Sequence, residues 1–400
     1  FKGGSGSGDN ISASSEMLLD ARAEREYMFD RIYRQEKRRF YTEDMHGVDW
    51  EALRDNYRRF LPDIDNNYDF AEMASEWLGE LNVSHTGCRC SRPSDASGDV
   101  TADLGLIFDM RHEGDGLLIA EVVAQGPFDR ASSKVQAGDI VEKIDARPIK
   151  AGEDYFPLLN RRAGRRTLVS IYRPSDGTRW DETVEPISQS QLSQLLYKRW
   201  VKQRAADVER LSGGRLGYVH IQSMGDESFR TVYAEILGRY NQCDGIVIDT
   251  RFNGGGRLHE DVEVLFSGKK YLTQVIRGKE ACDMPSRRWN KPSIMITCEA
   301  NYSNAHGTPW VYQHQGIGKV VGMPVPGTMT SVSWERLQDP TLVFGIPIIG
   351  YRLEDGSYLE NKQLEPDIKV ANTPETIAEG RDEQLETAVK ELLRQIDQKK

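Results

Sequence analysis

Four hundred residues are more than one ordinary domain holds; they allow two or three, each large enough to bury a core without staples. A formal net charge of −10 argues against a nucleic-acid or anionic-membrane partner, and the run Arg161-Arg162-Ala163-Gly164-Arg165-Arg166 reads as a solvated turn or face. No apolar run approaches the roughly 18–20 residues of a membrane span. The five cysteines (Cys88, Cys90, Cys243, Cys282, Cys298) contain no CxxC pair, so neither a disulfide framework nor a zinc site is implied, and no metal or cofactor is expected. Cys243 and Cys298 lie in or beside apolar strand-like runs and read as small core residues. Unpaired thiols lean toward a reducing compartment.

The chain opens on Phe1-Lys2-Gly3-Gly4-Ser5-Gly6-Ser7-Gly8, so residues 1–13 read as a flexible linker and the whole as a fragment whose targeting signal would lie upstream. Ser14 or Ser15 then caps a helix from Glu16 to about Phe40, with Leu19, Tyr27, Phe29, Ile32 and Tyr33 at helical spacing. Asp49-Trp50-Glu51 opens a second helix, and Phe70–Leu81 forms a third. Residues 14–92 thus make a helical domain ending in Ser84-His85. A linker at Ser91–Gly98 leads to short β-type runs at Leu104–Phe108, Leu117–Val123, Ile140–Ile144 and Thr167–Tyr172, with a helical piece at Tyr155–Asn160.

That order, over 93–186, is the order of a PDZ-like β-barrel. Leu104-Gly105-Leu106-Ile107 resembles the carboxylate-binding loop of PDZ domains, where backbone N–H groups face a peptide C-terminus. Ala137-Gly138-Asp139-Ile140-Val141 resembles a second PDZ stretch. Helical connectors follow over Ser188–Leu211. Strands at Leu216–Ile221, Gly245–Asp249 and Pro292–Cys298, alternating with an amphipathic helix at Glu227–Tyr240, make 187–400 an α/β domain that closes on a C-terminal helix. The expected fold class is α+β multidomain: an N-terminal helical unit, a PDZ-like β-barrel and an α/β sandwich catalytic domain.

Two loops carry chemistry. In Ser293–Gly307 an apolar strand runs through a polar loop into a helix-compatible stretch, placing Ser303 at a helix N-terminus, where free N–H groups can stabilise an oxyanion. On these residues alone the plainer reading, Ser303 as an N-cap, is preferred, since serines often start helices. In Asp249-Thr250-Arg251-Phe252-Asn253-Gly254-Gly255-Gly256 three glycines follow a buried strand and let N–H groups turn into a site. A phosphate cradle is excluded because neither GxxxxGK nor GxGxxG is present. Asp249 reads as a structural anchor, His220 as a core residue, and His306 tempts as a base because it lies three residues beyond Ser303.

The phrases GELNVSH (79–85), DTRFNGGG (249–256) and ANYSNAHG (300–307) resemble the tricorn-like serine peptidases, as do MHGVDW (45–50), GYVHIQSM (217–224) and LENKQLEPDI (359–368). The likeness spans about residues 14–390 in the family's order of helical unit, PDZ domain and catalytic domain. It implies a serine peptidase of endo or carboxy type working through an acyl-enzyme on Ser303, with His85 as general base. It further implies that Ser84 orients the imidazole, that Glu360 holds Ser84, and that Gly254, Gly255 and Asn304 supply the oxyanion hole. Glu354, Asp355 and Glu365 compete with Glu360, and only the motif match selects it. His306 receives no role.

The resemblance also implies a peptide or unfolded-protein substrate, a homo-oligomer, upstream propeller domains missing from this chain, and a cytoplasmic location. Two rivals stand beside it. A catalytically idle PDZ scaffold would need no nucleophile. A Ser/Lys C-terminal processing peptidase would need a lysine where Thr328 stands, and Lys319 is misplaced. A basic P1 preference would call for an acid in Tyr271-Leu272-Thr273-Gln274-Val275, which has none.

Overall fold

The structure, a computed structural model, describes residues 15, 16, 18–91 and 98–398. The linker expected over 1–13, the cap Ser14 and most of the Ser91–Gly98 linker lie outside these residues. The chain divides into two compact units, Phe1–Pro93 with Gly327–Lys362, and Ser94–Pro326 with Gln363–Lys400.

The first unit begins with three helices: α1 (Ala21–Arg39), α2 (Trp50–Arg58) and α3 (Asn67–Gly79). The start of α1 is five residues later than the serines suggested. Asp20 caps it, its carboxylate accepting the N–H groups of Arg22 and Ala23 at 3.1 and 3.0 Å. Asp49 caps α2, as its position implied, and Asn66 caps α3 three residues ahead of the expected Phe70. Large apolar side chains one helical turn apart bury this face: Met28, Phe29 and Ile32 of α1 meet Phe70, Trp77 and Leu78 of α3. Trp77 is fully buried, and its ring stacks on Phe29 (4.4 Å between centroids) and on Trp50 (4.5 Å). A short strand, β1 (Cys88–Cys90), ends this run.

The second unit starts with antiparallel strands β2 (Leu106–Phe108), β3 (Leu117–Val122), β4 (Ile140–Ile144), β5 (Arg147–Pro148), β6 (Thr167–Arg173) and β7 (Thr178–Val184). They pair in the order β2-β3-β4-β6-β7, with β5 on β4. The PDZ-like β-barrel expected here takes the form of a sheet that does not close: among the described residues β2 and β7 stand at its edges and do not pair. Alternate residues of these strands, such as Val141, Ile144, Val169 and Ile171, still bury one common core.

A 24-residue helix, α4 (Gln189–Ser212), follows. Ser188 opens it with a reciprocal capping box to Gln191. Then come β8 (Leu216–His220), α5 (Asp226–Leu237), β9 (Gly245–Asp249), α6 (His259–Ser267), the hairpin β10 (Leu272–Ile276) and β11 (Lys279–Met284), β12 (Ser293–Thr297), α7 (Asn304–His314) and β13 (Lys319–Gly322). Here the chain returns to the first unit as β14 (Thr330–Arg336) and β15 (Leu342–Gly350), which pair in the order β1-β15-β14. This corrects the expectation that 187–400 is one domain: residues 327–362 group with the helices, because Leu342, Phe344 and Ile346 of β15 bury their side chains in the core of α1 and α3.

The chain ends in the second unit with β16 (Ile368–Lys369), α8 (Pro374–Ala378) and α9 (Glu383–Gln398). β16-β13-β12-β9-β8 form a five-stranded sheet, parallel throughout. β8, β9 and β12 are buried on both faces, which is why they read as unbroken apolar runs. Val219, Ile246, Ile248 and Met295 pack under α5, α6 and α7, while Tyr218, Val247, Ile294 and Ile296 pack under α4 and α9. Both serine-bearing and glycine-bearing loops leave this sheet at the C-terminal ends of β12 and β9, the end at which open α/β sheets build sites. Among the described residues no helix is long and apolar enough to cross a membrane.

Candidate active site

In the second unit, Ser303 is the residue immediately before α7 and has φ 58° and ψ −125°. A non-glycine residue there is strained by about 1–3 kcal/mol and persists only where its surroundings dictate it. Those surroundings are explicit. Tyr302 donates its N–H to the Asn253 carbonyl at 3.0 Å. Asn301, 1% exposed, donates to Thr250 Oγ1 at 3.0 Å and to the Ala305 carbonyl at 3.3 Å. The latter bond replaces one the helix cannot make, because the residue four positions on is Pro309, which has no N–H.

The glycine loop lies against the serine. Gly255 has φ +99°, and a Cβ placed on it would stand 2.5 Å from Ser303 Cβ and 3.0 Å from its Oγ. No side chain fits, so glycine here is a requirement of close approach. Asn304 ties the two loops, its Oδ1 accepting from the N–H groups of Leu258 (2.8 Å) and His259 (3.0 Å). The Gly255 N–H is taken by Asn253 Oδ1 at 2.8 Å. That turns one of the three expected oxyanion donors inward and leaves Gly254 and Asn304; the Asn304 N–H is among the first of α7, which no helical carbonyl can reach.

Beneath the loops, Arg251 is 2% exposed and bridges Asp249 (Nη2–Oδ2 2.6 Å) and Asp382 (Nη1–Oδ1 2.9 Å). Burial pushes the Asp382 carboxyl up, but that guanidinium together with hydrogen bonds from Asn372 and the Leu385 N–H holds it below the usual carboxylate range. Asp249 is the anchor its strand-end position suggested. His220 is buried between Tyr197 (2.8 Å) and the Arg251 carbonyl (3.0 Å). His306 is fully buried within α7. Lys319 pairs with Glu391 at 2.8 Å.

In the first unit, the loop after α3 turns three times through positive φ, at Asn82 (47°), His85 (66°) and Gly87 (107°). Ser84 Oγ lies 2.8 Å from His85 Nδ1. Glu360, 5% exposed, accepts the Ser84 backbone N–H on Oε1 at 2.6 Å. The carboxylate thus grips the loop by its backbone, and the Ser84 hydroxyl also acts to lower its pKa. Asn361 donates to the Asn82 carbonyl at 2.8 Å, and His46 Nδ1 lies 3.0 Å from the Leu81 carbonyl.

Of the rival acids, Asp355 turns onto the Ser357 N–H (2.9 Å) and Glu354 is exposed. Glu365 belongs to the second unit. Burial lowers the His85 pKa below the ordinary imidazole value and raises that of Glu360, the latter opposed by the N–H groups of Ser84 and Met329. One residue was missed by sequence reasoning: Thr330, whose Oγ1 lies 3.1 Å from both Ser84 Oγ and His85 Nδ1. A lone threonine opening a strand, some 245 residues along the chain from His85, carries no local signal.

The structure thus gathers Ser84, His85 and Glu360 in one unit, and Ser303, Asn304, Gly254 and Gly255 in the other. Residues 215–370 match the model of peptidase family S41, and residues 21–79 match that of the tricorn protease C1 domain. The chain carries both domains. The S41 match contains Ser303, the glycine loop, Thr330 and Glu360, while Ser84 and His85 follow directly on the C1 match. The chain is 28% identical to tricorn protease homolog 1 of Streptomyces coelicolor, over 93% of its own length and 35% of that protein's. It is 22% identical to the tricorn protease of Thermoplasma acidophilum, over 92% and 35% of the two lengths. It also shares the fold of a tricorn protease crystal structure, with a TM-score of 0.82 and 22% identity over 95% of this chain and 37% of that one. The chain therefore spans about a third of the length of the relatives it matches.

Of the remaining expected site residues, Leu104 and Leu106 are buried in the open β-sheet's core. Gly105 (φ +66°) donates its N–H to Asp103 Oδ1 at 2.7 Å, so this loop already satisfies one of its donors from within. The strand that follows, β2, is an edge strand. Tyr271–Val275 lies on the exposed β10–β11 hairpin.

Proposed function

We propose that this chain is the hydrolytic portion of a tricorn-like serine peptidase that cleaves peptides or unfolded protein through an acyl-enzyme on Ser303. Ser303 Oγ attacks the scissile carbonyl while His85 Nε2 takes its proton, later returned to the leaving amine. The oxyanion is received by the N–H groups of Asn304 and Gly254, aided by the positive end of α7. Ser84 orients the imidazole, and Glu360 fixes the Ser84 loop. The observation that carries this reading is the strained backbone of Ser303 at a helix N-terminus, with Gly255 pressed against it: a plain N-cap needs neither.

The open β2–β7 sheet fits a PDZ-like module in this scheme. Its peptide would add along β2 by main-chain hydrogen bonds, beside the Leu104–Ile107 loop. Lys319, paired with Glu391, gives little support to a Ser/Lys mechanism. Treatment with a serine-directed phosphonate, followed by peptide mapping, tests the reading. It predicts a single adduct on Ser303 that fails to form in His85→Ala. Labelling elsewhere, or none, overturns it in favour of a binding scaffold.

A further inference from the structure

Thr330, the first residue of β14, is 3% exposed, so its hydroxyl must find partners within the protein. It donates to the Ser84 carbonyl oxygen at 3.3 Å, and its oxygen lies 3.1 Å from His85 Nδ1 and 3.1 Å from Ser84 Oγ. Only the first of these contacts has a fixed direction; the other two admit either donor. A threonine hydroxyl has one proton, and a carbonyl oxygen can only accept. With the proton on Ser84 O, Thr330 presents lone pairs to the imidazole, and Nδ1 must supply the proton between them. A neutral imidazole carries a single N–H, so Nε2 is left as the acceptor, which is the form a general base requires.

The backbone supports the same arrangement. A Cβ at Gly345 of β15 would stand 2.3 Å from the His85 carbonyl oxygen, so His85 is seated directly on the strand that pairs with β14. Ring and hydroxyl are thereby referred to one sheet.

We propose that Thr330 is a positioning residue that sets the tautomer and orientation of His85, through an acceptor whose own proton is anchored on the Ser84 backbone. This rests on the reading of Ser303 and His85 as nucleophile and base. Thr330 then does for the imidazole what a hydroxyl can do and a carboxylate would overdo: it accepts from Nδ1–H without adding a charge beside a half-buried ring. The other titratable groups on this side are Glu360, which reaches the ring through the Ser84 backbone, and behind it His46 and Tyr41.

The test compares Thr330→Val, which keeps the shape and loses the acceptor, with Thr330→Ser, which keeps the acceptor. Thr330→Val should lower kcat about 10- to 100-fold with KM changed less than about twofold. It should also move the pH limb of Ser303 phosphonate labelling downward, because the imidazolium loses an acceptor more than the neutral ring does. Thr330→Ser should stay within about threefold of the parent with its limb unmoved. Thr330→Ala must show the same limb shift as Thr330→Val, which guards against a fault of folding in either. Equal behaviour of the valine and serine variants, or lost rate without a limb shift, overturns the role of Thr330 while leaving Ser303 and His85 in place. Failure of the parent chain to label at Ser303 overturns the reading beneath it.

Discussion

The Ser303 loop and the Ser84-His85 loop reach their geometry by opposite means. Ser303 is held by backbone: a strained φ, three consecutive glycines and asparagine side chains that stitch main-chain groups within residues 221–305. Ser84 and His85 are held by side chains drawn from two distant stretches, with Thr330 and Glu360 closing on them from β14 and the loop after β15. The serine loop also stands on a buried ionic platform of Arg251, Asp249 and Asp382, whereas the histidine loop stands on hydroxyls and one carboxylate. A rigid backbone suits a nucleophile that must meet an oxyanion hole. A network of hydroxyls suits a base whose proton must remain mobile.

The comparison breaks first at the platform. Arg251→Met should destabilise the second unit by about 3–5 kcal/mol, since it leaves the buried Asp249 without its cation and Asp382 with only Arg204, at 3.3 Å. Urea unfolding measures it, and a loss below about 1 kcal/mol would mean the platform is dispensable.

Gly255→Ala probes the backbone half directly. At φ +99° and 2.5 Å from Ser303 Cβ, the added methyl must displace the serine, and displacement of about 1 Å costs on the order of 100-fold in rate. The loss should fall on kcat, with KM nearly constant. Parent-like turnover would show that the close approach has no catalytic purpose.

The side-chain half should yield more gently. Glu360→Gln can still accept the Ser84 N–H, so kcat should fall only about three- to tenfold, less than for Glu360→Ala. The rate should also follow His85. Its burial lowers the imidazole pKa, and only the neutral ring accepts a proton, so activity should persist below about pH 6.5 and fall as pH drops through the lowered value. Glu360, raised by burial, adds a second loss as pH falls through its own raised value, which Glu360→Gln should remove. A rate limb at or above about 6.5 would contradict the assignment of His85.

The same contrast explains what the sequence could show. The nucleophile half is local, so its strand, glycines and serine are read from two short phrases. The histidine half is dispersed. Glu360 was found only through a family motif, and Thr330 was not found at all. β14 and β15 follow β13 along the chain yet fold with α1 and α3, because Leu342, Phe344 and Ile346 complete a distant core that no local periodicity announces. Closure of the β2–β7 sheet was likewise undetermined by strand count, since pairing of the two edge strands depends on twist and register. The α1 cap was misplaced onto the serines ahead of it; Asp20, whose carboxylate reaches two N–H groups, holds it.

The central claim is that Ser303 and His85 act as one catalytic unit, and a double-mutant cycle on peptide cleavage tests it most directly. Ser303→Ala and His85→Ala should each reduce kcat by about 10⁴–10⁶, and the double variant should be no worse than either, as for residues that share a single step. Losses that simply add, or His85→Ala retaining turnover within about tenfold of the parent, would contradict it.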